Sequence, residues 1–201
     1  YQNLFNKINI NFSKQRGFKK KLIDFTIALG TKKLKKIKLN YYEILIDFIC
    51  DALVRKKVKK QFGGSLQAFV SGGGALDQKI GEFLNSIGLP TLQGYGLTEA
   101  SPVVSCNIPD QIQVETVGPP FRTNSVKIAE DGEILIKGEN VMLGYWNKQK
   151  ETDEIIKDTH EAKYLDLVKN SFPIKGYSSL DGDNCQFQYS RKLESVHPGI
   201  A

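Results

Sequence analysis

The stretch LQAFVSGGGALDQKIGEFLNSIGLPTLQGYGLTE, residues 66–99, places two glycine-rich turns after two short apolar runs. The first run, residues 66–70, has the length and apolar content of a buried strand and ends in the turn Ser71–Gly74. Asp77 and Gly88 then flank a helix, as an N-cap acceptor and a C-terminal glycine. Over this segment apolar residues recur at helical spacing, at Leu76, Ile80, Phe83, Leu84 and Ile87. The order of strand, glycine loop, helix and strand predicts a βαβ unit in an α/β fold.

The second run, residues 91–93, predicts a strand that leads into a second glycine loop, Gly94–Glu99. Because a helical crossover makes the two strands parallel, both loops are expected at the carboxyl edge of the sheet, where open α/β sheets bind ligands. Tyr95, Thr98 and Glu99 would offer an aromatic face, a hydroxyl and a carboxylate there. ATP with Mg²⁺ requires these three kinds of group. Each residue also has a structural interpretation, which is core packing for Tyr95 and a helix start for the other two.

The composition is that of an ordinary globular protein: 201 residues, 40% hydrophobic and 25% charged, with a formal net charge of +6. These values exclude the collagen-like, fully disordered and disulfide-scaffold classes. The three cysteines, Cys50, Cys106 and Cys185, lie far apart, so they indicate neither a zinc site nor a disulfide framework and favour a reducing compartment. The sequence has no apolar run of about 18 residues and no signal-peptide pattern. We therefore expect a cytoplasmic protein.

Positive charge is concentrated in the first 60 residues, which hold 16 Lys or Arg against 4 Asp or Glu. Residues 1–62 are expected to form a basic helical segment. Within it, Tyr41–Lys60 places apolar residues on one helix face, at Ile44, Leu45, Phe48, Ile49, Ala52 and Leu53. The lysines are interpreted first as a solvated face. Peripheral contact with the inner face of an anionic membrane is the second interpretation, and nucleic acid is disfavoured because no recognition motif accompanies the charge.

The region after the second glycine loop has a strand pattern and then a helical one. Residues 125–136 alternate apolar and polar side chains about Glu130-Asp131-Gly132, which predicts a β-hairpin with an Asp-Gly turn. Trp146 is interpreted as a packing residue. Lys148–Lys157 is expected to be helical.

Four segments resemble, in order and spacing, the motifs of the adenylate-forming enzymes. Ser71–Leu76 is similar to the family's upstream glycine motif, and Gly94–Glu99 is similar to the signature of its nucleotide site. The next two motifs are resembled by Val117–Pro120 and by Gly132–Gly138 followed by Val141–Trp146. Within this superfamily the chain is most similar to the long-chain fatty-acid–CoA ligases, and its basic N-terminal segment looks like one that those ligases insert before the glycine motif.

The resemblance implies that the chain is the later part of a large N-terminal domain, with residues 63–158 as the nucleotide-site α/β portion. Gly72, Gly73 and Gly74 would form a wall near the adenine, and Tyr95 would stack on it. Thr98 would hold a phosphate oxygen and Glu99 would help bind Mg²⁺, which makes these two the expected catalytic residues. The remaining members of the signature, Gly94 and Gly96, are assigned to the same nucleotide site.

The resemblance also implies a two-step reaction. A fatty-acid carboxylate attacks the α-phosphorus of ATP and releases pyrophosphate, and the thiol of coenzyme A then displaces AMP from the acyl-adenylate. Because the substrates are the nucleophiles, the protein supplies alignment and charge compensation. The alternatives are another adenylate-forming enzyme, such as a peptide-synthetase adenylation domain or a luciferase, and a non-catalytic nucleotide- or membrane-surface-binding module.

Two parts of the family's pattern are missing from the sequence. No Thr-Gly-Asp occurs after Asp158, and nothing before Gly63 resembles the family's phosphate loop. Because the first residue is Tyr1 rather than Met, we expect a fragment of a longer reading frame, with little or no ligase turnover on its own. Residues 159–201 diverge from the family and are expected to form a disordered tail that arose by frameshift or rearrangement.

Overall fold

The computed structural model describes residues 1–121, 124–129, 133–159 and 162–166, which form helices and β-sheets as expected for an α/β chain. Contacts divide the chain into two compact units. The first, which we call the helical unit, comprises residues 1–71, 76–92 and 109–114. The second, which we call the sheet unit, comprises residues 72–75, residues 93–108 and the described residues from 115 onward.

The helical unit begins with the helices predicted for the basic segment: α1 (Gln2–Ser13), α2 (Gly17–Leu34), α3 (Tyr41–Cys50) and α4 (Lys56–Gln61). A π-helical turn, Asp51–Arg55, joins α3 to α4. Strand β1 (Phe69–Ser71) and helix α5 (Gln78–Ser86) follow. Their shared core consists of Ile8, Ile23, Val54, Val58, Ile80, Phe83, Leu84, Ile87 and Leu89.

Helix α5 has the predicted ends and the predicted buried face. The Asp77 carboxylate accepts a hydrogen bond from the Ile80 N–H at 3.1 Å, which caps the N-terminus. Gly88 follows the helix with φ +85°, and the Leu89 N–H donates to the Leu84 carbonyl at 3.0 Å to close the last turn. Strand β1 begins at Phe69, three residues later than the sequence predicts.

Helix α3 is amphipathic as predicted, but its apolar face is turned to solvent. Phe48 is 74% exposed, and Ile44, Leu45, Ile49 and Leu53 are exposed as well. The buried side of the α3–α4 region instead carries Asp47, Cys50, Val54, Arg55 and Val58. The amphipathic pattern alone predicts that the apolar face is buried. In the structure the opposite face is buried, because that face carries an ion pair that joins α3 to its neighbours.

That ion pair joins Asp47 and Arg55. The Arg55 Nη2 lies 2.7 Å from Asp47 Oδ1, and the Lys33 Nζ lies 2.8 Å from Oδ2. The Arg55 Nε also donates to the Ser86 carbonyl at 3.0 Å, and its Nη2 donates to the Thr26 carbonyl at 3.3 Å. Burial raises the pKa of Asp47, but Lys33 and Arg55 outweigh burial and hold that pKa below its usual value. One buried arginine therefore ties α3 to both α2 and α5.

Lysines of α2 and the residue after it form further ion pairs inside the helical unit. Lys32 pairs with Glu43, and Lys35 Nζ lies 3.6 Å from Glu82 Oε1. These acidic partners neutralise part of the positive charge on which the prediction of membrane contact rests. Membrane contact stays a prediction. Over the described part of the chain, no helix combines the length and the apolar character needed to cross a bilayer.

Strand β2 (Thr91–Gly96) runs from the helical unit into the sheet unit. Its start lies beside β1, where the Phe69 N–H donates to the Pro90 carbonyl at 2.7 Å. Its end pairs antiparallel with β3 (Val103–Cys106), which gives the strand order β1-β2-β3. The parallel direction expected for β1 and β2 stays a prediction.

The second sheet has the order β4-β5-β7-β6, and its neighbouring strands are antiparallel. Strands β4 (Asn124–Ile128) and β5 (Ile134–Gly138) form the predicted hairpin, whose turn at Glu130-Asp131-Gly132 lies outside the described residues. The buried core of the sheet unit is formed by Ala100, Val104, Ile134 and Ile136.

The last described elements are α6 (Gln149–Ile155), β6 (Ile156–Thr159) and β7 (Ala162–Asp166). Strand β7 pairs with both β5 and β6, so Thr159 and Ala162–Asp166 of the divergent tail lie in strands, and the disorder expected for residues 159–201 stays a prediction. Residues 160–161 and 167–201 lie outside the described residues, and the frameshift origin of the tail stays a prediction.

Candidate functional site

The first predicted loop, Gly72–Gly74, is an exposed turn directly after strand β1. Ser71 before it is buried, and Gly73 has φ +78°, a conformation that favours glycine. A Cβ built on any of the three glycines would meet no atom within 4 Å. The loop backbone is therefore open on its side-chain side, as the close approach of a ligand requires.

The second predicted loop is different from its sequence interpretation, because Gly94, Tyr95 and Gly96 form the end of strand β2 rather than a loop. Gly94 pairs with Cys106, and the register shifts between Tyr95 and Gly96. A Cβ on Gly96 would lie 1.8 Å from the Pro102 carbonyl oxygen. The physical reason for glycine at position 96 is thus the close approach of two backbones, whether or not a nucleotide binds beside it.

Tyr95 is half-buried and packs against the core of the sheet unit. Burial raises the pKa of its hydroxyl. In the described part of the chain, no hydrogen bond to that hydroxyl is formed. The core contact fits the packing interpretation of Tyr95, and stacking on a purine stays a prediction.

Thr98 and Glu99 begin the 3₁₀ turn Thr98–Ala100, which follows β2 after a single residue. The turn is fixed at its base by the Leu97 N–H, which donates to the Pro102 carbonyl at 2.7 Å. Thr98 is exposed, whereas Glu99 is half-buried. The geometry therefore presents a hydroxyl and a carboxylate from consecutive residues of one rigid turn.

A contact that the sequence did not predict holds Glu99. The Tyr145 hydroxyl donates to Glu99 Oε1 at 2.6 Å, and this hydrogen bond raises the pKa of Tyr145 to about 12. The Met142 N–H donates to the Glu99 carbonyl at 2.8 Å, and the Asn140 amide donates to the Ala100 carbonyl at 2.7 Å. Residues 139–146, which we call the clamp segment, thus bind both the backbone and the side chain of the turn. No local pattern could reveal a contact 46 residues apart in the sequence.

The clamp segment is itself fixed by the start of α6. The Tyr145 N–H donates to Thr152 Oγ1 at 2.9 Å, and that threonine is buried. Gly144 has φ +150°, and a Cβ there would lie 2.8 Å from Thr152 Cγ2. Trp146 is 89% exposed, so its interpretation as a packing residue is wrong. The segment turns Tyr145 toward Glu99 and leaves its neighbour in solvent.

The residues present fit a magnesium ion that is held mainly by a nucleotide. Over the described ranges, no cluster of three or more His, Cys, Asp or Glu side chains could hold a metal alone. Glu99 Oε2 receives no hydrogen bond or ion pair from the described residues. Mg²⁺ typically binds one or two carboxylates and takes its other ligands from phosphates and water, so one open carboxylate oxygen suits it.

The structure places all of the predicted site residues, Gly72–Gly74 and Gly94–Glu99, in the sheet unit. No hydrogen bond between described residues joins the glycine loop to Tyr95, Thr98 or Glu99. A cleft of about 370 Å³ lies instead in the helical unit, where Lys33, Lys36 and Arg55 are among its lining residues. That the two glycine segments face one ligand stays a prediction.

The fold and the candidate site together define a mixed α/β protein that presents an open glycine loop and a clamped Thr-Glu turn. The sequence model of a family described as AMP-binding enzyme matches residues 42–146, which is just over half of the chain. The chain belongs to this family of AMP-binding enzymes.

The curated relatives are fatty-acid–CoA ligases. The chain is 39% identical over 110 residues to the long-chain-fatty-acid–CoA ligase FadD15 of Mycobacterium bovis, covering 55% of this chain and 18% of that one. It is 34% identical over 181 residues to the long-chain-fatty-acid–CoA ligase of Escherichia coli, covering 77% and 31%. The chain thus spans less than a third of the length of either relative.

Among solved structures, the chain is similar to the unliganded form of O-succinylbenzoate coenzyme A synthetase from Bacillus subtilis. The two are 20% identical with a TM-score of 0.49, over 70% of this chain and 31% of that one.

Proposed function

We propose that the chain is part of a long-chain fatty-acid–CoA ligase and supplies the portion that binds ATP and Mg²⁺ for formation of the acyl-adenylate. The observation that carries this proposal is the AMP-binding family match, which spans every predicted site residue from Gly72 to Glu99. The names of the relatives supply the substrate class, a long-chain fatty acid with coenzyme A as the acceptor. They favour this ligase over the other adenylate-forming enzymes.

The proposed chemistry assigns a separate task to each group. The open backbone of Gly72–Gly74 lies along the adenine, and the ring face of Tyr95 stacks on it. Thr98 donates its hydroxyl to a phosphate oxygen, and Glu99 offers one carboxylate oxygen to Mg²⁺. A Mg²⁺ ion held by Glu99 would offset the charge that gathers on the α-phosphate, and Thr98 and the glycine loop align that phosphate with the attacking carboxylate.

Nucleotide binding tests the proposal directly. The purified chain is titrated with ATP by calorimetry, once with Mg²⁺ and once with EDTA. We expect tighter binding with Mg²⁺, and we expect Glu99→Gln to remove that gain while Glu151→Gln, at an exposed glutamate of α6, keeps it. Tyr95→Ala is expected to weaken ATP binding roughly 10-fold in both conditions, the low end of base-stacking effects. ATP binding that is changed by neither Glu99→Gln nor Tyr95→Ala would contradict the proposal.

Turnover by the 201-residue chain is expected to be absent or very slow. The Thr-Gly-Asp element and the upstream phosphate loop do not occur in the sequence, and loss of parts that act as a unit costs more than loss of any one contact. The measurement is ATP–pyrophosphate exchange with palmitate and Mg²⁺. A clear exchange rate would show that the residues present are sufficient for the adenylation step.

A further inference from the structure

Glu99 differs from the buried Asp47 and the half-buried Glu43 in the kind of partner it has. Asp47 and Glu43 each contact a lysine, and Asp47 also contacts Arg55. Within the described residues, no lysine or arginine forms an ion pair with Glu99, whose one side-chain partner is the neutral Tyr145 hydroxyl. A neutral donor fixes the direction of a carboxylate and leaves its negative charge uncancelled.

The hydrogen bond also decides which oxygen remains open. Tyr145 occupies Oε1 at 2.6 Å, and Oε2 is left without a partner among the described residues. A glutamate has three rotatable side-chain bonds, and holding one oxygen restricts them before any ligand arrives. Binding to a carboxylate that is already oriented has a smaller entropic cost than binding to a free one.

We propose that Tyr145 is a positioning residue for Glu99, holding its carboxylate so that Oε2 faces a divalent cation bound with a nucleotide. This inference rests on the proposed function, in which Glu99 binds Mg²⁺.

The surroundings of Tyr145 support a positioning role over simple packing. The Tyr145 N–H donates to the hydroxyl of the buried Thr152, and the Met142 N–H donates to the Glu99 carbonyl. The backbones of Tyr145 and Glu99 are therefore both held by hydrogen bonds, which fixes the position at which the Tyr145 hydroxyl meets the Glu99 carboxylate. Groups that orient a metal ligand in this way usually matter to metal affinity by 10-fold or more.

The test compares ATP binding with and without the metal. The purified chain is titrated with ATP in Mg²⁺ and in EDTA, and the quantity compared is the ratio of the Kd in EDTA to the Kd in Mg²⁺. Tyr145→Phe removes only the hydroxyl and is expected to lower this ratio by about 10-fold while the Kd in EDTA stays unchanged. Tyr42→Phe, which removes a hydroxyl from an exposed tyrosine of α3, is the matched control and is expected to keep the wild-type ratio.

A double variant separates action through Glu99 from a general loss of structure. Tyr145→Phe added to Glu99→Gln is expected to give the ratio of Glu99→Gln alone, because the phenol acts only through the carboxylate. Both titrations use one preparation, so a reduced folded fraction lowers the stoichiometry and leaves the ratio readable.

The outcomes distinguish this inference from the proposed function. A wild-type ratio of 1 would overturn both. If Glu99→Gln lowers the ratio and Tyr145→Phe does not, the role of Tyr145 alone is overturned. The same conclusion follows if Tyr145→Phe weakens ATP binding equally in EDTA and in Mg²⁺.

Discussion

Two carboxylates in this chain show how a side chain's partners divide structural from binding roles. Asp47 is buried between Lys33 and Arg55, and both of its oxygens face a cation. Glu99 faces a neutral phenol with one oxygen and keeps the other oxygen open. The charge of Asp47 therefore has a structural role. Removing one member of a buried ion pair leaves the charge of the other uncompensated. The charge of Glu99 remains available to a ligand.

The role of Asp47 can be tested through the pH dependence of stability. Its pKa is lowered in the folded state, so its contribution is complete above the unfolded value of about 3.9 and is lost as the pH falls through the folded-state pKa. Asp47→Asn leaves Arg55 and Lys33 without the carboxylate, and we expect it to lower the free energy of unfolding by about 3 kcal/mol at pH 7. The difference from wild type should shrink below about pH 4.

Urea unfolding between pH 2 and 7 measures this difference. Asp51→Asn, at an exposed carboxylate one turn further along, is the control for the change of charge, since exposed pairs contribute little. A constant gap between Asp47→Asn and wild type across the whole range would show that the Asp47 charge does not stabilise the fold.

At the scale of elements, the sequence predicts the periodic parts well and the close approaches poorly. Helix α5, its Asp77 cap and its Gly88 stop follow from short-range rules, and the structure confirms all three. The same rules predict helix α3 but not which face is buried, because burial depends on the distant partners Lys33 and Ser86. The sequence predicts Gly96 to be a loop residue, because sequence alone cannot distinguish a flexible glycine from one that is needed where a neighbouring backbone leaves no space for a side chain.

The candidate site shows the same division. The family motifs locate Thr98 and Glu99, and the structure places them together on one turn. The clamp residue Tyr145 was not predicted, because its position relative to Glu99 is set by the fold of the sheet unit. Motifs identify the groups that meet a ligand, whereas the groups that hold them are found only in three dimensions.

The crossing of α2 and α5 gives an element-scale prediction. A Cβ on Gly30 would lie 2.5 Å from the Ser86 Cα, so the two helices touch at backbone distance. Alanine favours a helix over glycine by about 1 kcal/mol, yet we expect Gly30→Ala to lower the free energy of unfolding by about 1–3 kcal/mol because the helices must separate. Ala28→Gly, at an exposed position of α2, is expected to lose about 1 kcal/mol from propensity alone. Stabilisation by Gly30→Ala in urea unfolding would contradict the close crossing.

At the scale of the whole molecule, the exposed apolar surface of the helical unit needs an explanation. Single exposed apolar residues are ordinary on soluble proteins, but contiguous patches mark interaction or aggregation sites. Five of the exposed apolar residues of α3 follow one helix face, namely Tyr41, Ile44, Leu45, Phe48 and Ile49. A surface of this kind should act as a contact surface in solution.

We therefore expect the purified chain to self-associate through α3 as its concentration rises. Burying such side chains stabilises a contact by roughly 1.5–3 kcal/mol for each fully buried one, enough for a weak dimer when several are covered. Phe48→Lys places a charge in the centre of the patch and should shift the association to higher concentration, as measured by sedimentation velocity. Ile10→Lys makes the same change at an exposed site of α1, and it should leave the association as it is in wild type. If both variants weaken association equally, net charge rather than the α3 face governs it; if neither does, α3 is not the contact surface.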